Sequence, residues 1–132
     1  MKKSITVFRL VHARGEGDDA SRAERGNPMK SYNGLVYPAM ADAMGHMNVQ
    51  HYVAAFDQAM WHVVAALGYD TGWQRSLGQG WADVLHETHF MQELEVGALF
   101  EVHTDVEAVG TSSLTLRHTM KNRQGDTVAT MK

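Results

Sequence analysis

The stretch Ala41-Asp42-Ala43-Met44-Gly45-His46-Met47-Asn48 decides the fold, because it delivers polar residues to the start of an apolar helix. After it, apolar residues recur at the i, i+3, i+4, i+7 spacing of a helix with one buried face. They are Val49, Tyr52, Val53, Phe56, Met60, Val63, Val64 and Leu67. Asn48 is a favoured N-cap residue, and Gly68 is a favoured residue just past a helix C-terminus. The sequence therefore predicts one helix between residues 48 and 68.

The second half of the chain changes from a helical period to a period of two, which is typical of strands with one buried face. Alternation marks residues 98–109 and 113–121, with turn residues at Gly110-Thr111 and Asn122-Arg123-Gln124-Gly125. Further strands are predicted at Ser31–Tyr37, ending before Pro38, at Trp81–Met91 and from Thr127 to Met131. A central helix followed by a meander of four strands predicts an α+β layer fold, an antiparallel sheet wrapped around the helix.

The N-terminal part differs in composition from the rest. Residues 4–12 are prone to form a strand, whereas residues 13–28 are charged, glycine-bearing and almost free of large apolar side chains, which is typical of a flexible loop. We therefore predict an N-terminal extension over residues 1–30 and one folded domain over residues 31–132. Residues 68–80 contain four glycines and are predicted to form a loop, with a lid as one interpretation.

Composition excludes several classes of protein. The chain has 132 residues, 44% of them hydrophobic, which suits one domain with a real core. A formal net charge of -3 without blocks of like charge argues against nucleic acid binding. The absence of cysteine excludes disulfides and thiolate chemistry, and no apolar run is long enough to span a membrane. We predict a soluble cytoplasmic protein.

Asp42 is the candidate reactive group. Gly45 permits a sharp turn, and the first turn of the following helix presents amide N–H groups that have no partner within the helix. If a thioester carbonyl lies on those amides, Asp42 is able to attack it directly or to activate a water that does. The same residues also suit ordinary turn and cap chemistry, with Asp42 bonding local backbone and Asn48 capping the helix. The residues alone leave both interpretations open.

The run from Asp42 to Asn48, followed by Tyr52 and the acidic Asp57, resembles the Asp-x-x-Gly-His-x-Asn-x-x-x-Tyr signature of the 4-hydroxybenzoyl-CoA thioesterase-like branch of the hotdog-fold superfamily. Residues 34–38 and 109–113 match the Val-x-Pro strand and the Val-Gly-x-Ser-Ser turn of that branch. The resemblance implies a hotdog fold, a homodimer or a dimer of dimers, and acyl-CoA thioester sites at the subunit interface.

The resemblance also implies roles for individual residues. Asp42 matches the catalytic carboxylate, and the amides around Met47, Asn48 and Val49 match an oxyanion hole. His46 and Asn48 would orient water or the carbonyl. Other residues are implied in positioning or in binding the ligand: Tyr52, Asp57, Ser112 and Ser113, with Arg117 a weaker candidate.

No metal and no cofactor is expected beyond coenzyme A as part of the substrate. His86-Glu87-Thr88-His89 lacks the spacing of a zinc motif and lies in a predicted strand, where its two histidines face opposite sides. Glu87 or His89 would either line the pocket or lie on the sheet surface. We predict an acyl-CoA thioesterase for a small or medium acyl group. The alternatives are a non-catalytic acyl-CoA-binding or assembly module and a hotdog hydratase.

Overall fold

The computed structural model describes residues 27–70, 72, 75, 78 and 80–132. Its central helix, α1 (Val49–Ala66), begins after Asn48, whose side chain accepts the N–H of Gln50. The helix ends at Ala66 with Leu67 as its C-cap, and Gly68 then takes the left-handed conformation, with φ of +97°, that commonly stops a helix. The predicted helix is therefore confirmed, with both caps formed by local residues.

Five strands form one antiparallel sheet in the order β1-β3-β4-β5-β2. Their bounds are β1 (Met29–Leu35), β2 (Thr88–Phe90), β3 (Leu99–Val109), β4 (Leu114–Asn122) and β5 (Thr127–Met131). A short 3-10 helix (Pro38–Met40) links β1 to the turn before α1. The predicted class, an antiparallel sheet with one helix, is confirmed.

The connection of β2 differs from the prediction. Only β3, β4 and β5 form a meander, because β2 pairs with β5 at the edge of the sheet farthest from β1. The predicted strand Trp81–Met91 is also too long, since the ladder covers Thr88–Phe90 and is extended only by reciprocal backbone bonds between Glu87 and Lys132. Val84 and Leu85 have no partner strand among the described residues and are 90% and 77% exposed.

The core lies between α1 and the inward face of the sheet. The alternation of β3 buries Phe100, Val102 and Thr104, whereas Val106, expected on the same face, is half-exposed next to a shift of register in the β3–β4 ladder. Gly34 of β1 pairs with Phe100, and a Cβ at residue 34 would clash with the Phe100 ring. Phe56, Val64, Val102, Met120 and Val128 fill the interior.

Three polar side chains are buried in this core and satisfy one another. Ser31 Oγ donates to the carbonyl of Val102 at 3.1 Å and lies 2.7 Å from Thr104 Oγ1, which lies 2.7 Å from Nδ1 of His118. Because the hydroxyl proton of Ser31 is used, Thr104 donates to Ser31 and accepts from Nδ1–H of His118. His118 is 3% exposed and packs against Phe56, and burial is the main cause that lowers its pKa to about 4.

Several predictions concern residues that lie partly or wholly outside the described part. The predicted strand 4–12 and nearly all of the loop 13–28 lie outside it, as do six residues of the loop 68–80. Strand β1 begins at Met29, inside the predicted extension 1–30 and two residues before the predicted strand. Among the described residues, no helix has the length and apolarity needed to cross a membrane.

Candidate active site

An open groove of about 610 Å³ lies where the N-terminus of α1 meets the segment that follows β2. The turn before the helix forms one wall, the first turns of α1 form the floor, and residues 90–93 form the other wall. The lining residues are Asp42, Met44, His46, Met47, Val49, Tyr52, Phe90, Met91, Gln92 and Glu93. The groove thus combines apolar and sulfur-bearing surface with two carboxylates, and no lysine or arginine lines it within the described residues.

The turn before α1 holds the Asp42 carboxylate by both oxygens. Oδ1 accepts the backbone N–H of Met44 at 2.8 Å, and Oδ2 accepts from Nδ2 of Asn48 at 3.2 Å. Gly45 closes the turn with φ of +85° and donates its N–H to the Asp42 carbonyl. A side chain at residue 45 would meet no atom within 4 Å, so its backbone conformation is the reason for glycine.

Two of the three amides predicted to form the oxyanion hole already have backbone acceptors. Met47 N–H donates to the carbonyl of Leu94 at 2.8 Å, and Asn48 N–H donates to the carbonyl of Met40 at 2.9 Å. Their inclusion in an oxyanion hole was therefore wrong, because both donors are already used by the backbone. The N–H of Val49, which lines the groove, has no hydrogen-bond partner among the described residues and stays available to a ligand.

The Asn48 side chain contacts both the helix end and the Asp42 carboxylate, and its implied role toward substrate or water stays a prediction. Its Oδ1 caps the helix by accepting Gln50 N–H at 3.1 Å, while its Nδ2 donates to Asp42. Asn48 does not line the groove. Its side chain therefore links the end of the helix to the Asp42 carboxylate, and its own contacts are with protein atoms.

Tyr52 lines the groove and anchors its far wall. The side chain is buried, and its hydroxyl oxygen accepts the backbone N–H of Leu94 at 3.1 Å. Its ring meets that of Phe90 edge to face, with centroids 5.3 Å apart. Burial raises the pKa of the Tyr52 phenol, and the backbone bond from Leu94 opposes this effect.

His46 lies on the groove beside a carboxylate that the sequence analysis did not single out. Nδ1 of His46 is 3.1 Å from Oε2 of Glu93, and the side chain of Glu93 is 72% exposed. Nδ1 is buried, and the present approach of the carboxylate lies outside hydrogen-bond geometry. Glu93 lies three residues beyond β2 in a segment without helical or strand period, so no local pattern marks it.

The other predicted site residues are not brought to this groove within one chain. Asp57 is half-buried on α1, eight residues beyond Val49, or about 12 Å along the helix axis. Glu87 and His89 are exposed and bind each other at 2.8 Å, which favours the interpretation that they lie on the sheet surface. Neither residue lines the groove of the single chain, and their role in binding substrate stays a prediction.

Ser112 and Ser113 lie in the exposed turn between β3 and β4. Phe90 pairs with Ala129, and Ala129 with Met120, so Met120 marks the level of the groove on β4. Strand β4 begins at Leu114, six residues or roughly 20 Å from Met120 at about 3.3 Å per residue, and both serines lie in the turn before it. The two serines therefore reach this groove only if they come from another chain.

Metal ligation was not expected, and the described residues contain no group of three or more histidine, aspartate and glutamate side chains that could hold a metal ion.

The folded chain is similar to solved thioesterase structures. A Staphylococcus aureus protein in complex with CoA superposes with a TM-score of 0.74 at 19% identity, over 84% of this chain and 70% of that one. A gentisyl-coenzyme A thioesterase gives 0.69 at 22% identity, over 76% and 80%. A DHNA-CoA thioesterase from Staphylococcus aureus gives 0.68 at 17% identity, over 76% and 67%. The hotdog fold predicted from the sequence is confirmed.

The model of the thioesterase-like superfamily matches residues 36–132, which is most of the chain. No curated protein sequence matches significantly. The chain belongs to the thioesterase-like superfamily, and it is a thioester hydrolase of the hotdog fold.

Proposed function

We propose that this protein hydrolyses a small or medium acyl-CoA thioester, with Asp42 as nucleophile or general base. The observation that carries the proposal is that Asp42 lines the same open groove as Val49, the first residue of α1, whose N–H has no hydrogen-bond partner among the described residues. Solved structures with the same fold are described as CoA complexes or as CoA thioesterases, which supports CoA as the thiol part of the substrate.

The chemistry balances without a metal or a redox partner. A water oxygen, or the Asp42 carboxylate itself, adds to the thioester carbonyl, and the helix N-terminus stabilises the negative charge that forms on its oxygen. The C–S bond then breaks, and the CoA thiolate takes up a proton. In the nucleophilic route an Asp42 anhydride forms first and water cleaves it, whereas in the general-base route Asp42 accepts the proton of the attacking water.

The apolar lining favours the acyl end of the substrate. Met44, Met47, Val49, Phe90 and Met91 provide adaptable, mostly unbranched surface around the carboxylate. A volume of about 610 Å³ falls within the usual range of ligand pockets, which suits a small or medium acyl group.

A panel of acyl-CoA esters with a thiol-trapping dye tests the activity. We expect Asp42→Ala to lower kcat by at least about 100-fold, while Asp105→Asn, which removes the same charge from the outward face of β3, leaves it unchanged. Hydrolysis that survives Asp42→Ala would reject the mechanism. CoA binding without turnover in the wild type would favour a non-catalytic acyl-CoA-binding module. In single-turnover hydrolysis in ¹⁸O-water, label on Asp42 would identify the nucleophilic route, because it arises only when water cleaves an anhydride at the Asp42 carbonyl.

We further propose that the protein is a homodimer formed through the free edge of β2. That edge has no partner strand among the described residues, and exposed apolar side chains lie on it or next to it. They are Val84, Leu85, Phe90 and Met91. A two-fold axis would pair β2 with its copy in antiparallel sense and extend the sheet across both chains.

This pairing has a consequence for the ligand. Antiparallel pairing reverses the partner's sheet, so its turn between β3 and β4 would come to the end of the sheet where this groove lies. Ser112 and Ser113 of that turn then have a route to the CoA moiety, and the prediction that they bind substrate depends on it. Asp57 likewise keeps only a predicted role across the interface.

Solution mass tests the assembly. Light scattering at micromolar concentration should give twice the chain mass of 14.7 kDa, or four times for a dimer of dimers. Leu85→Asp should shift the mass toward the monomer, since it places a charge next to the unpaired edge. Val109→Asp, at an exposed site where β3 ends and away from that edge, should leave the mass unchanged. A strictly monomeric wild type would refute the interface. The cytoplasmic location stays a prediction from the sequence.

A further inference from the structure

The segment that lies opposite the turn before α1 brings a further residue to His46. The inference drawn from this contact rests on the proposed function. The backbone of residues 46–47 runs antiparallel to residues 94–95: His46 forms a bridge with Glu95, and Met47 N–H donates to the carbonyl of Leu94 at 2.8 Å. The N–H of Leu94 is held in turn by the hydroxyl of Tyr52. The residue before Leu94 is therefore set beside His46 by main-chain bonds.

That residue is Glu93, and its carboxylate is the group nearest to an unsatisfied ring nitrogen. Nδ1 of His46 is buried and has no hydrogen bond among the described residues, although Oε2 of Glu93 is 3.1 Å away. A buried polar atom without a partner is costly, and an exposed glutamate side chain is free to rotate into line. We propose that Glu93 is a positioning residue that acts through His46.

The expected effect concerns which ring nitrogen carries the proton. A carboxylate at Nδ1 favours the tautomer with hydrogen on Nδ1, so Nε2 keeps its lone pair for a water or for the proton that leaves it. The same carboxylate fixes the plane of the ring. The strength of this exposed pair is small, so its value lies in orientation and not in stability.

A double-mutant cycle on hydrolysis tests the role. Glu93→Ala should lower kcat about 10- to 100-fold with little change in KM, as expected for a lost orienting group. In a His46→Gln background, the same substitution should change kcat by no more than about twofold, because its target is gone. Glu95→Ala is the matched control. Glu95 lies two residues beyond Glu93 and carries the same charge, but its side chain does not line the groove. A Glu93 effect of equal size in both backgrounds, or none in the wild-type background, would overturn the proposal.

A second readout does not require activity. Long-range proton–nitrogen NMR spectra identify the protonated ring nitrogen of His46, with His46→Gln assigning the signal. The wild type and Glu95→Ala should carry the proton on Nδ1, and Glu93→Ala should move it toward Nε2. An unchanged tautomer in Glu93→Ala would refute the role of Glu93. If the wild type hydrolyses no acyl-CoA, the proposed function fails, while this spectrum still decides whether Glu93 orients His46.

Discussion

Mild acid should destabilise this protein through His118, the histidine buried between the sheet and α1. The residue is 3% exposed, and its ring donates from Nδ1 to Thr104 and packs against Phe56. A second proton would place a charge in that core. Burial, helped by the nearby His86 and opposed by Asp83, lowers the pKa of His118 to about 4.

The size of the effect follows from linkage. The unfolded chain binds this proton below pH 6.5, whereas the folded chain binds it only near pH 4, so between these values the unfolded state holds more protons and stability falls as the pH falls. By pH 5 the loss in the free energy of unfolding is roughly 2 kcal/mol, and it levels off at roughly 3 kcal/mol below pH 4. This is a sizeable part of the 5 to 15 kcal/mol, in round terms, that stabilises an ordinary domain. Above pH 7 this histidine is largely neutral in both states, so it adds little further pH dependence to the free energy of unfolding.

Surface carboxylates act in a different range. The pKa of Glu101 is held at about 2, chiefly by the hydrogen bond from Lys30 and then by that from His103. Because that pKa is lowered, the stability from this carboxylate is present above its usual pKa of 4.5 and is lost only as the pH falls below it. Glu101 therefore adds little to the slope between pH 5 and pH 6.5, and the comparison of the wild type with His118→Asn assigns the part that is due to the buried histidine.

Urea unfolding at fixed protein concentration, between pH 5 and pH 7.5, measures the slope. His118→Asn keeps a donor for Thr104 but cannot titrate, so its stability should be lower at pH 7.5 and nearly flat toward pH 5. His62→Asn, on the exposed face of α1, should retain the wild-type slope. A wild type that is equally stable at pH 5 and pH 7.5, or a His118→Asn protein with the wild-type slope, would refute the reasoning.

Three further substitutions test single contacts. Gly34→Ala should lower the free energy of unfolding by about 1 to 3 kcal/mol in urea titrations, because the ring of Phe100 must move, and an unchanged midpoint would contradict the packing. Tyr52→Phe should cost about 1 to 3 kcal/mol in the same assay, because it leaves the N–H of Leu94 buried without an acceptor, whereas a neutral result would mean that water replaces the hydroxyl. Asn48→Ser should keep the helix cap within about 0.5 kcal/mol yet lower kcat about 10-fold, since serine caps well but cannot reach the aspartate six residues earlier; full activity would contradict that link.

The sequence predicts those parts of the fold that depend on local pattern. The limits of α1 follow from an apolar stripe and two capping residues, and β3, β4 and β5 follow from alternation and turn residues. The position of β2 does not, because its pairing with β5 joins residues some forty positions apart, which no local pattern specifies. The same long-range choice leaves residues 81–86 outside the ladder, although their composition suits a strand.

The same distinction between local pattern and long-range contact applies to the candidate site. Four of the groove residues lie within eleven consecutive residues of the chain, which is why local pattern finds them: Asp42, His46, Val49 and Tyr52. The amides of residues 47 and 48 were assigned wrongly, since their acceptors are carbonyls of the 3-10 helix and of the segment after β2. Glu93 is likewise not predictable from local sequence, because the bridge between residues 46 and 95 is what brings it to the histidine.

The two interpretations of the Asp-x-x-Gly-His-x-Asn stretch are compatible with one arrangement. Asp42 does bond local backbone, through Met44 N–H, and Asn48 does cap α1, as ordinary turn and cap chemistry requires. Those bonds also fix the carboxylate on the groove, because the amide group that caps the helix with its oxygen binds Asp42 with its nitrogen. A cap residue without a side-chain N–H would end that link while leaving the helix intact. The need to hold a carboxylate and a helix end with one side chain therefore accounts for asparagine here, where serine or threonine would cap equally well.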